Sequence, residues 1–235
     1  MATHEAPGST APAEERLADR LAAAPAAAPT TRNRTTPNTT TIAALHELGQ
    51  VDRAVYRAVA ETPTPTLDRP FRRLSHAADR SRLWVAIAAS MAALGGPTGR
   101  RAAAAGLAGL AVDSAVVNLG IKVAARRRRP DRDSAGVPAA RRVLLPHSAS
   151  FPSGHAAAGF AFAHAVAETS PPAGAPLELL AALVGYSRVH TGVHYPGDVV
   201  AGSLIGATIG QMVGWGLSRV RPAAHHPAPA PKAGS

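Results

Sequence analysis

The sequence contains no cysteine. This excludes disulfide frameworks, zinc–thiolate sites, iron–sulfur clusters and thiol catalysis, and it restricts any metal site to His, Asp and Glu side chains. Charged residues are also scarce, at 17% of the chain compared with roughly 25% in an average soluble domain. Because 46% of the residues are hydrophobic, the chain as a whole is too apolar to be disordered and must form a core.

Acidic residues are the minority among the charges. The 25 Lys and Arg residues exceed the 15 Asp and Glu residues and give a formal net charge of +10. The segment 122–142 holds eight basic and two acidic residues, so it carries +6 of that excess. Such a concentrated charge indicates a phosphate-bearing partner, which can be nucleic acid, an anionic lipid or a phosphorylated substrate.

The chain is predicted to be one domain with polar ends. Residues 1–40, rich in Pro, Thr and Ala, predict a disordered arm, and residues 219–235, interrupted by prolines, predict a disordered tail. The domain comprises residues 41–218. Its first part has apolar residues at steps of three and four from Ile42 to Val59, which predicts an amphipathic helix. A basic stretch at 68–82 is suited to lie along a membrane surface.

Five further apolar segments predict helices, at about 83–94, 102–121, 155–167, 177–189 and 199–217. No region alternates with period two, so the sequence predicts an all-α fold. Crossing a bilayer takes roughly 20 mostly apolar residues, and only the second and last segments approach that length. The segments are rich in Ala and Gly, which suit close helix packing in a membrane. On hydropathy alone, a soluble helical bundle stays an alternative.

The basic cluster after the segment 102–121 contains a first motif. Lys122 is separated by six residues from Arg129 and Pro130. An ammonium and a planar guanidinium at one helix end can both bind a phosphate dianion. Taken alone, the pattern fits equally a basic cluster that contacts lipid head groups.

The second motif is the stretch 150–155, Ser-Phe-Pro-Ser-Gly-His, which leads directly into a predicted helix. A helix start exposes free backbone amides that bind anions with the help of the helix dipole. Ser153 can add its hydroxyl, and His155 can exchange a proton with a bound ester. The alternative is an ordinary helix start, with Ser153 as the N-cap and His155 a polar residue of the first turn.

The third motif comprises Ser187 and Arg188, then His194, and after Tyr-Pro-Gly the carboxylate of Asp198. A histidine can attack phosphorus through one ring nitrogen when its other nitrogen donates to a carboxylate. Asp198 is the candidate for that carboxylate. Its place before an apolar run also suits a helix N-cap, and both roles can coexist.

Together and in this order, the three motifs resemble those of the type 2 phosphatidic acid phosphatases, also called the PAP2 or lipid phosphate phosphatase superfamily. Lys122, Arg129 and Pro130 are similar to its first motif, residues 152–155 to its second, and Ser187, Arg188, His194 and Asp198 to its third. Short actinobacterial membrane members are particularly similar. The resemblance implies an all-α, multi-pass membrane helical bundle of the PAP2 type, with about five to six core helices beside the N-terminal amphipathic helix.

The resemblance further implies a phosphatase that works through a phosphohistidine, with no metal or other cofactor. His194 is then the nucleophile, Asp198 orients it, and His155 protonates the leaving group and later activates water. The implied phosphate-binding groups are Lys122, Arg129, Ser153, Gly154 and Arg188. Phosphoryl transfer chiefly demands positioning and electrostatic stabilisation, which such a set of donors supplies.

Other polar residues near the motifs have simpler interpretations. His147 and His190 are interpreted as polar lining or surface residues rather than catalytic groups. Asp113 stands in the middle of the segment 102–121, where a charge needs a partner or a polar cavity if that segment spans a bilayer.

Three alternative functions remain. By family resemblance, vanadium-dependent haloperoxidases and soluble acid phosphatases carry the same constellation. The former are much larger soluble chains, and the latter normally have a secretory signal and fewer apolar segments. The third alternative is a basic protein that binds nucleic acid or anionic lipid without catalysis, but the sequence has no recognition-helix or stacking-platform signature.

The expected partners are a phosphorylated lipid substrate and membrane lipids, and not nucleic acid. Candidate substrates are phosphatidate-like monophosphates, polyprenyl pyrophosphates and a polyprenyl-linked sugar phosphate. The resemblance to bacterial members implies an external active site, whereas the excess of basic residues in the catalytic loop favours the cytoplasmic side. The sequence leaves open the side of the membrane on which the active site lies, and also the oligomeric state.

Overall fold

The structure, a computed structural model, describes residues 37–219, and this part of the chain contains helices and no β-strand. The predicted arm 1–40 and tail 219–235 lie almost entirely outside the described residues. The contacts divide the chain into two units after Leu45, and the helical bundle belongs to the second unit, which begins at His46. The α-helices are α1 (Pro37–Glu61), α2 (Pro65–Ala77), α3 (Arg82–Leu94), α4 (Gly96–Ala115), α5 (Gly154–Ala167), α6 (Pro171–His190) and α7 (Pro196–Arg219).

Short helical pieces complete the architecture. Helix α4 continues without a break through a π-helical segment, Val116–Ile121, and a last turn, Lys122–Ala124. A 3₁₀ turn at Asp79–Ser81 joins α2 to α3. The all-α prediction is thereby confirmed. Each of the five predicted apolar segments lies within a helix, the segment 102–121 within α4 and its continuation, and the helices exceed the segments by one to nine residues.

Helix α5 occupies the centre of the bundle and packs against α4, α6 and α7. Most of its buried side chains are small, and Ala157, Ala161 and Ala165 are completely inaccessible to solvent. The bulk of the core is supplied by Phe162, whose ring lies 5.5 Å from that of Trp84 in α3. Small residues on a central helix allow three neighbours to approach it closely.

The approach of α7 to α5 depends on glycines four residues apart, at 202, 206 and 210. A Cβ atom on Gly206 would lie only 2.0 Å from the carbonyl oxygen of Ala157. Such close backbone contact brings the first turns of the two helices together. The backbone N–H of Ser153, just before α5, donates to the carbonyl oxygen of Asp198 in α7 at 2.9 Å. The second and third motifs are therefore neighbours in space.

Helix α2 differs in detail from the expected surface stretch. Its arginines at 69, 72 and 73 are exposed, as expected, but Asp68 and Ser75 are buried. Arg141, itself 1% exposed, donates to Asp68 at 2.7 Å and to the carbonyl oxygen of Thr62 at 2.7 Å. A buried ion pair thus fastens α2 to the loop that precedes α5.

Among the described residues, two helices are long and apolar enough to cross a membrane: α4 with its continuation, Gly96–Ala124, and α7, Pro196–Arg219. They are the two that the sequence singled out. Large apolar side chains on them are exposed, including Leu119, Leu204, Met212 and Trp215.

Candidate active site

His194 lies in the loop between α6 and α7 and is 2% exposed. Its Nδ1 atom is 3.5 Å from Oδ2 of Asp198, and its Nε2 atom is 3.2 Å from Nη1 of Arg129. A carboxylate accepts a proton and a guanidinium only donates, so this pair of neighbours favours the tautomer with hydrogen on Nδ1. The unprotonated Nε2 then faces the positively charged side of the site.

Asp198 is fixed by more partners than His194 alone. Its Oδ2 accepts from the hydroxyl of Ser150 at 2.5 Å and from the backbone N–H of Tyr195 at 3.0 Å, and its Oδ1 accepts from Arg127 at 2.8 Å. Because Asp198 lies in the first turn of α7, the bond to Tyr195 ties the carboxylate to that helix start. Asp198 is thus a neighbour of the histidine, as the sequence suggested, but it is the third residue of α7 and not the N-cap that the sequence also suggested, because the helix begins at Pro196.

The guanidinium of Arg129 is held in place by backbone carbonyls. It donates to Ser148 at 3.1 Å, to Val193 at 3.0 Å and to Ala149 at 3.3 Å. These bonds join the loop of the first motif to the loops that carry the second and third. Burial lowers the pKa of the Arg129 guanidinium, and the negative charge of Asp198 opposes that effect.

Lys122, Gly154 and His155 line one cavity of about 160 Å³. The ammonium of Lys122 donates to the side-chain oxygen of Asn118 at 3.2 Å. A Cβ atom on Gly154 would lie 2.8 Å from that ammonium, so a larger residue there would displace the lysine from its position beside the start of α5. The first two motifs therefore meet at this glycine.

Ser153 is the N-cap of α5 and is completely buried. Its hydroxyl oxygen accepts from the backbone N–H of Ala156 at 3.5 Å. The simpler alternative for this residue, an ordinary cap, is therefore present. The hydroxyl hydrogen is not used by that bond and can still be donated to an anion.

His155 and Arg188 share one carboxylate, that of Asp79 in the 3₁₀ turn between α2 and α3. Nε2 of His155 is 3.0 Å from Oδ1 of Asp79, and Nη1 of Arg188 is 3.8 Å from the same oxygen. The hydrogen bond with His155 holds the pKa of Asp79 below its usual range. Arg188 also donates to the hydroxyl of Ser75, but its buried Nε has no partner among the described residues.

The protonation of His194 is determined by its surroundings. The pKa of His194 is lowered to about 4, chiefly by burial. The positive charges of Arg129 and Arg188 contribute to this lowering, whereas Asp198 opposes it. The imidazole is therefore neutral over the physiological range, which is the form a nucleophile requires.

The residues that the sequence proposed for catalysis and phosphate binding thus belong to one connected region. Three charged residues that contact this region, Asp52, Asp79 and Arg127, were not singled out from the sequence. Asp79 contacts His155 and Arg188, and Arg127 bridges Asp198 to Asp52 of α1. Oδ1 of Asp52 also accepts from the backbone N–H of Gly197 at 2.6 Å. Arg127 stood within the basic cluster, whereas no pattern around Asp52 or Asp79 pointed to the site.

The structure also places the two histidines near the motifs that the sequence did not assign to catalysis, His190 and His147. His190 is buried, with Nε2 3.2 Å from Oδ1 of Asp68, and so belongs to the ion pair that holds α2. His147 is exposed and lies along the open surface that also includes Arg128 and Arg129. Asp113 lines the cavity of Lys122 and His155, which meets the condition that a charge in that segment needs a polar cavity.

Comparison with known proteins agrees with this geometry. The model of the PAP2 superfamily matches residues 102–221. The decaprenylphosphoryl-5-phosphoribose phosphatase of Mycobacterium tuberculosis is 37% identical over 164 residues, which cover 66% of this chain and 88% of that protein. Its counterpart in Mycolicibacterium smegmatis is 42% identical over 134 residues, 56% of this chain and 68% of that protein.

The fold has a counterpart among solved structures. The transmembrane PAP2-type phosphatidylglycerolphosphate phosphatase of Bacillus subtilis superposes with a TM-score of 0.58 at 24% identity, over 76% of this chain and 91% of that one. The matched family region contains all three motifs, and the two mycobacterial relatives are phosphatases. The chain therefore belongs to the PAP2 superfamily and is one of its phosphatases.

Proposed function

We propose that this phosphatase is a multi-pass membrane enzyme that hydrolyses the phosphate monoester of a polyprenyl-linked sugar phosphate and releases inorganic phosphate. One observation carries the chemical part of the proposal. His194 is buried and neutral, Asp198 lies at its Nδ1, and its Nε2 faces Arg129. This is the arrangement of an oriented nucleophile beside an anion-binding group.

In the first step, Nε2 of His194 attacks phosphorus, forming the N–P bond while the P–O bond to the leaving alcohol breaks. The Nδ1–H bond to Asp198 stabilises the imidazolium character that develops. The phosphate oxygens are held by the groups that surround the site, namely Lys122, Arg129, Ser153, the Gly154 amide and Arg188. The unpartnered Nε–H of Arg188 is available for one of these oxygens.

His155 supplies the proton that the leaving oxygen needs. Its Nε2–H donates to Asp79, which fixes the ring and leaves Nδ1 as the nitrogen that exchanges protons. In the second step, His155 takes a proton from water, the water oxygen bonds to phosphorus, and the N–P bond breaks. Inorganic phosphate leaves, and His194 returns to its neutral form. Asp79 acts on this chemistry through His155 and is a positioning residue.

Two features support a membrane-embedded enzyme with a lipid substrate. The helices Gly96–Ala124 and Pro196–Arg219 are long and apolar enough to cross a bilayer, and both expose large apolar side chains. The mycobacterial relatives are named for a decaprenyl-linked phosphoribose. The same substrate class is proposed here, with phosphatidate and polyprenyl pyrophosphate as the substrates to compare.

The test is phosphate release by the full chain in detergent from decaprenylphosphoryl-5-phosphoribose, polyprenyl pyrophosphate and phosphatidate, each with EDTA present. We expect release that favours the sugar phosphate, persists in EDTA and is lost in His194→Ala. The control is His46→Ala, which removes an exposed histidine of α1 that contacts only Gln50 among the described side chains. Full activity in His194→Ala, or strict dependence on an added divalent metal, would contradict the mechanism.

A further inference from the structure

The cavity that contains Lys122, Gly154 and His155 extends well beyond these catalytic candidates. Its remaining walls are formed by α4 with its π-helical continuation, by the 3₁₀ turn before α3 and by Ala158 of α5. Most of the side chains that these elements contribute are polar: Arg80, Ser81, Asp113, Ser114 and Asn118. The proposed phosphate chemistry gives none of these five residues a task.

Asp113 is the outstanding group in this cavity. It is 2% exposed, and its Oδ1 atom has no hydrogen-bond partner among the described residues. Leaving a buried carboxyl oxygen without a hydrogen-bond partner is unfavourable, so most buried polar atoms in proteins are paired. Asp113 itself lines the cavity, so its carboxyl group is placed at the wall where a bound molecule could offer it a hydrogen bond.

The backbone of α4 is shaped so that Asp113 and Lys122 face the same space. In a regular α-helix with about 100° per residue, two residues nine positions apart lie on opposite sides. The π-helical segment Val116–Ile121 stands between them and contains more residues per turn than an α-helix. This segment turns Lys122 back towards the side of Asp113, and both line one cavity.

A line of hydrogen bonds connects the far end of the cavity to the phosphate site. The amide nitrogen of Asn118 donates to the hydroxyl of Ser114 at 3.2 Å, and the amide oxygen of Asn118 accepts from Lys122 at 3.2 Å. These polar groups and Asp113 extend along the helix away from Lys122. The cavity therefore continues the phosphate site as a polar pocket.

The position of His155 identifies which part of the substrate this pocket receives. In the proposed reaction His155 donates its proton to the leaving oxygen, so the leaving group lies beside His155 rather than on the opposite side, next to His194. An apolar chain gains nothing from a pocket lined by Asp113, Ser114 and Asn118. Neutral hydroxyl groups suit both the carboxyl oxygen and the amide.

We propose that this pocket binds the hydroxyl groups of a polyol or sugar leaving group, with Asp113 accepting from one of them. The inference rests on the proposed phosphatase function and adds the residue that selects among its substrates. Sites built to bind a hydroxyl group discriminate strongly against substrates that lack it, because their buried polar groups are then left unpaired. Asp113 is thus a specificity residue that takes no part in the bond changes at phosphorus.

The experiment compares kcat/KM for decaprenylphosphoryl-5-phosphoribose and phosphatidate, whose leaving group carries no sugar, in wild type, Asp113→Leu and Asp113→Asn. Leucine branches at Cγ as aspartate does, with methyl groups in place of the two oxygens, and cannot form hydrogen bonds, whereas asparagine keeps an accepting oxygen. For the sugar substrate we expect a loss of about tenfold or more in Asp113→Leu and a smaller loss in Asp113→Asn. For phosphatidate both variants should stay within about twofold of wild type.

Asp133→Asn serves as the matched control, because Asp133 is 84% exposed and forms an ion pair with Arg142 in the loop, far along the chain from the pocket residues of α4. Equal losses on both substrates, or no loss on the sugar substrate, would overturn the role of Asp113 and leave the phosphatase function intact. No phosphate release by folded wild-type protein from either substrate would instead contradict the proposed function itself. Thermal unfolding of each variant shows whether a loss arises from misfolding, and the asparagine variant keeps the test valid if the leucine variant does not fold.

Discussion

Nδ1 of His194 lies 3.5 Å from Oδ2 of Asp198, a residue four positions later in the first turn of α7. The same oxygen also accepts from Ser150 and from the backbone of Tyr195. The carboxylate is therefore fixed before any substrate binds, and the histidine ring is oriented against a rigid partner. Preorganisation of this kind limits the rearrangement needed when charge develops on the ring.

Replacement of that carboxylate tests the relationship. Asp198→Asn keeps the size of the side chain, but its amide can donate to Nδ1 and stabilise the wrong tautomer of His194. We expect kcat to fall by roughly 10²–10⁴-fold with folding preserved. The measurement is steady-state phosphate release together with thermal unfolding. A variant that turns over like the wild type would show that Asp198 serves only the helix start.

The acid side of the pH profile reports on His194. Burial lowers the pKa of His194 to about 4, so the ring stays unprotonated down to a lower pH than an ordinary histidine, for which the pKa is about 6.5. Because kcat/KM reports groups of the free enzyme, its acid limb should fall well below about pH 6.5. The measurement is the pH profile of kcat/KM, corrected for the ionisation of the substrate phosphate. The contradicting result is an acid limb due to His194 at about pH 6.5 or above. The ring would then be more solvated than its 2% exposure indicates.

Asp79 is expected to act on proton transfer rather than on phosphate binding alone. In Asp79→Asn, His155 loses the carboxylate that lies 3.0 Å from its Nε2 and is less well oriented. For a lipid ester with an alkyl leaving group we expect kcat to fall by roughly tenfold or more. For p-nitrophenyl phosphate, whose leaving group needs little protonation, the loss should be much smaller. Equal losses on both esters would indicate a purely structural effect.

Two neighbouring arginines provide a matched test of stability. Arg141 is 1% exposed and pairs with the largely buried Asp68, whereas Arg142 pairs with the exposed Asp133. Removal of one partner of a buried pair leaves an uncompensated charge, so Arg141→Met should lower the free energy of unfolding by about 3–5 kcal/mol. Arg142→Met should cost less than about 1 kcal/mol. Thermal or denaturant unfolding in detergent measures both, and similar losses would mean that Arg141 is solvated.

The glycines of α7 differ sharply in the space around them. A methyl group on Gly206 would meet the carbonyl oxygen of Ala157 at 2.0 Å, whereas one on Gly216 would meet nothing within 4 Å. Gly206→Ala should destabilise the bundle by about 1–3 kcal/mol, since α5 and α7 must separate. It should also lower activity, because Ser153 and Asp198 stand at the starts of these two helices. Gly216→Ala should be neutral or stabilise slightly, by less than about 1 kcal/mol. The reverse order would show that the helices do not pack through Gly206.

Much of the fold was accessible from local patterns. Apolar runs bounded by Gly, Pro and Arg clusters predicted the core helices, because the helical period and the helix boundaries depend on residues close together in the chain. The π-helical segment at Val116–Ile121 was not predicted. This segment turns Lys122 towards Asp113 by altering one helical turn, and such a change does not alter the hydropathy pattern of the sequence.

The sequence by itself determined which residue types carry the chemistry and their family, since the spacing of Lys122, Arg129, His155, His194 and Asp198 is a local property of three motifs. Only the tertiary structure decided which groups support them. Asp79 meets His155 from 76 residues away, and Arg127 meets Asp198 from 71 residues away. Contacts over such distances depend on how the helices and their connections pack around α5 and α7, which side-chain volume and close backbone approach determine jointly over the whole bundle.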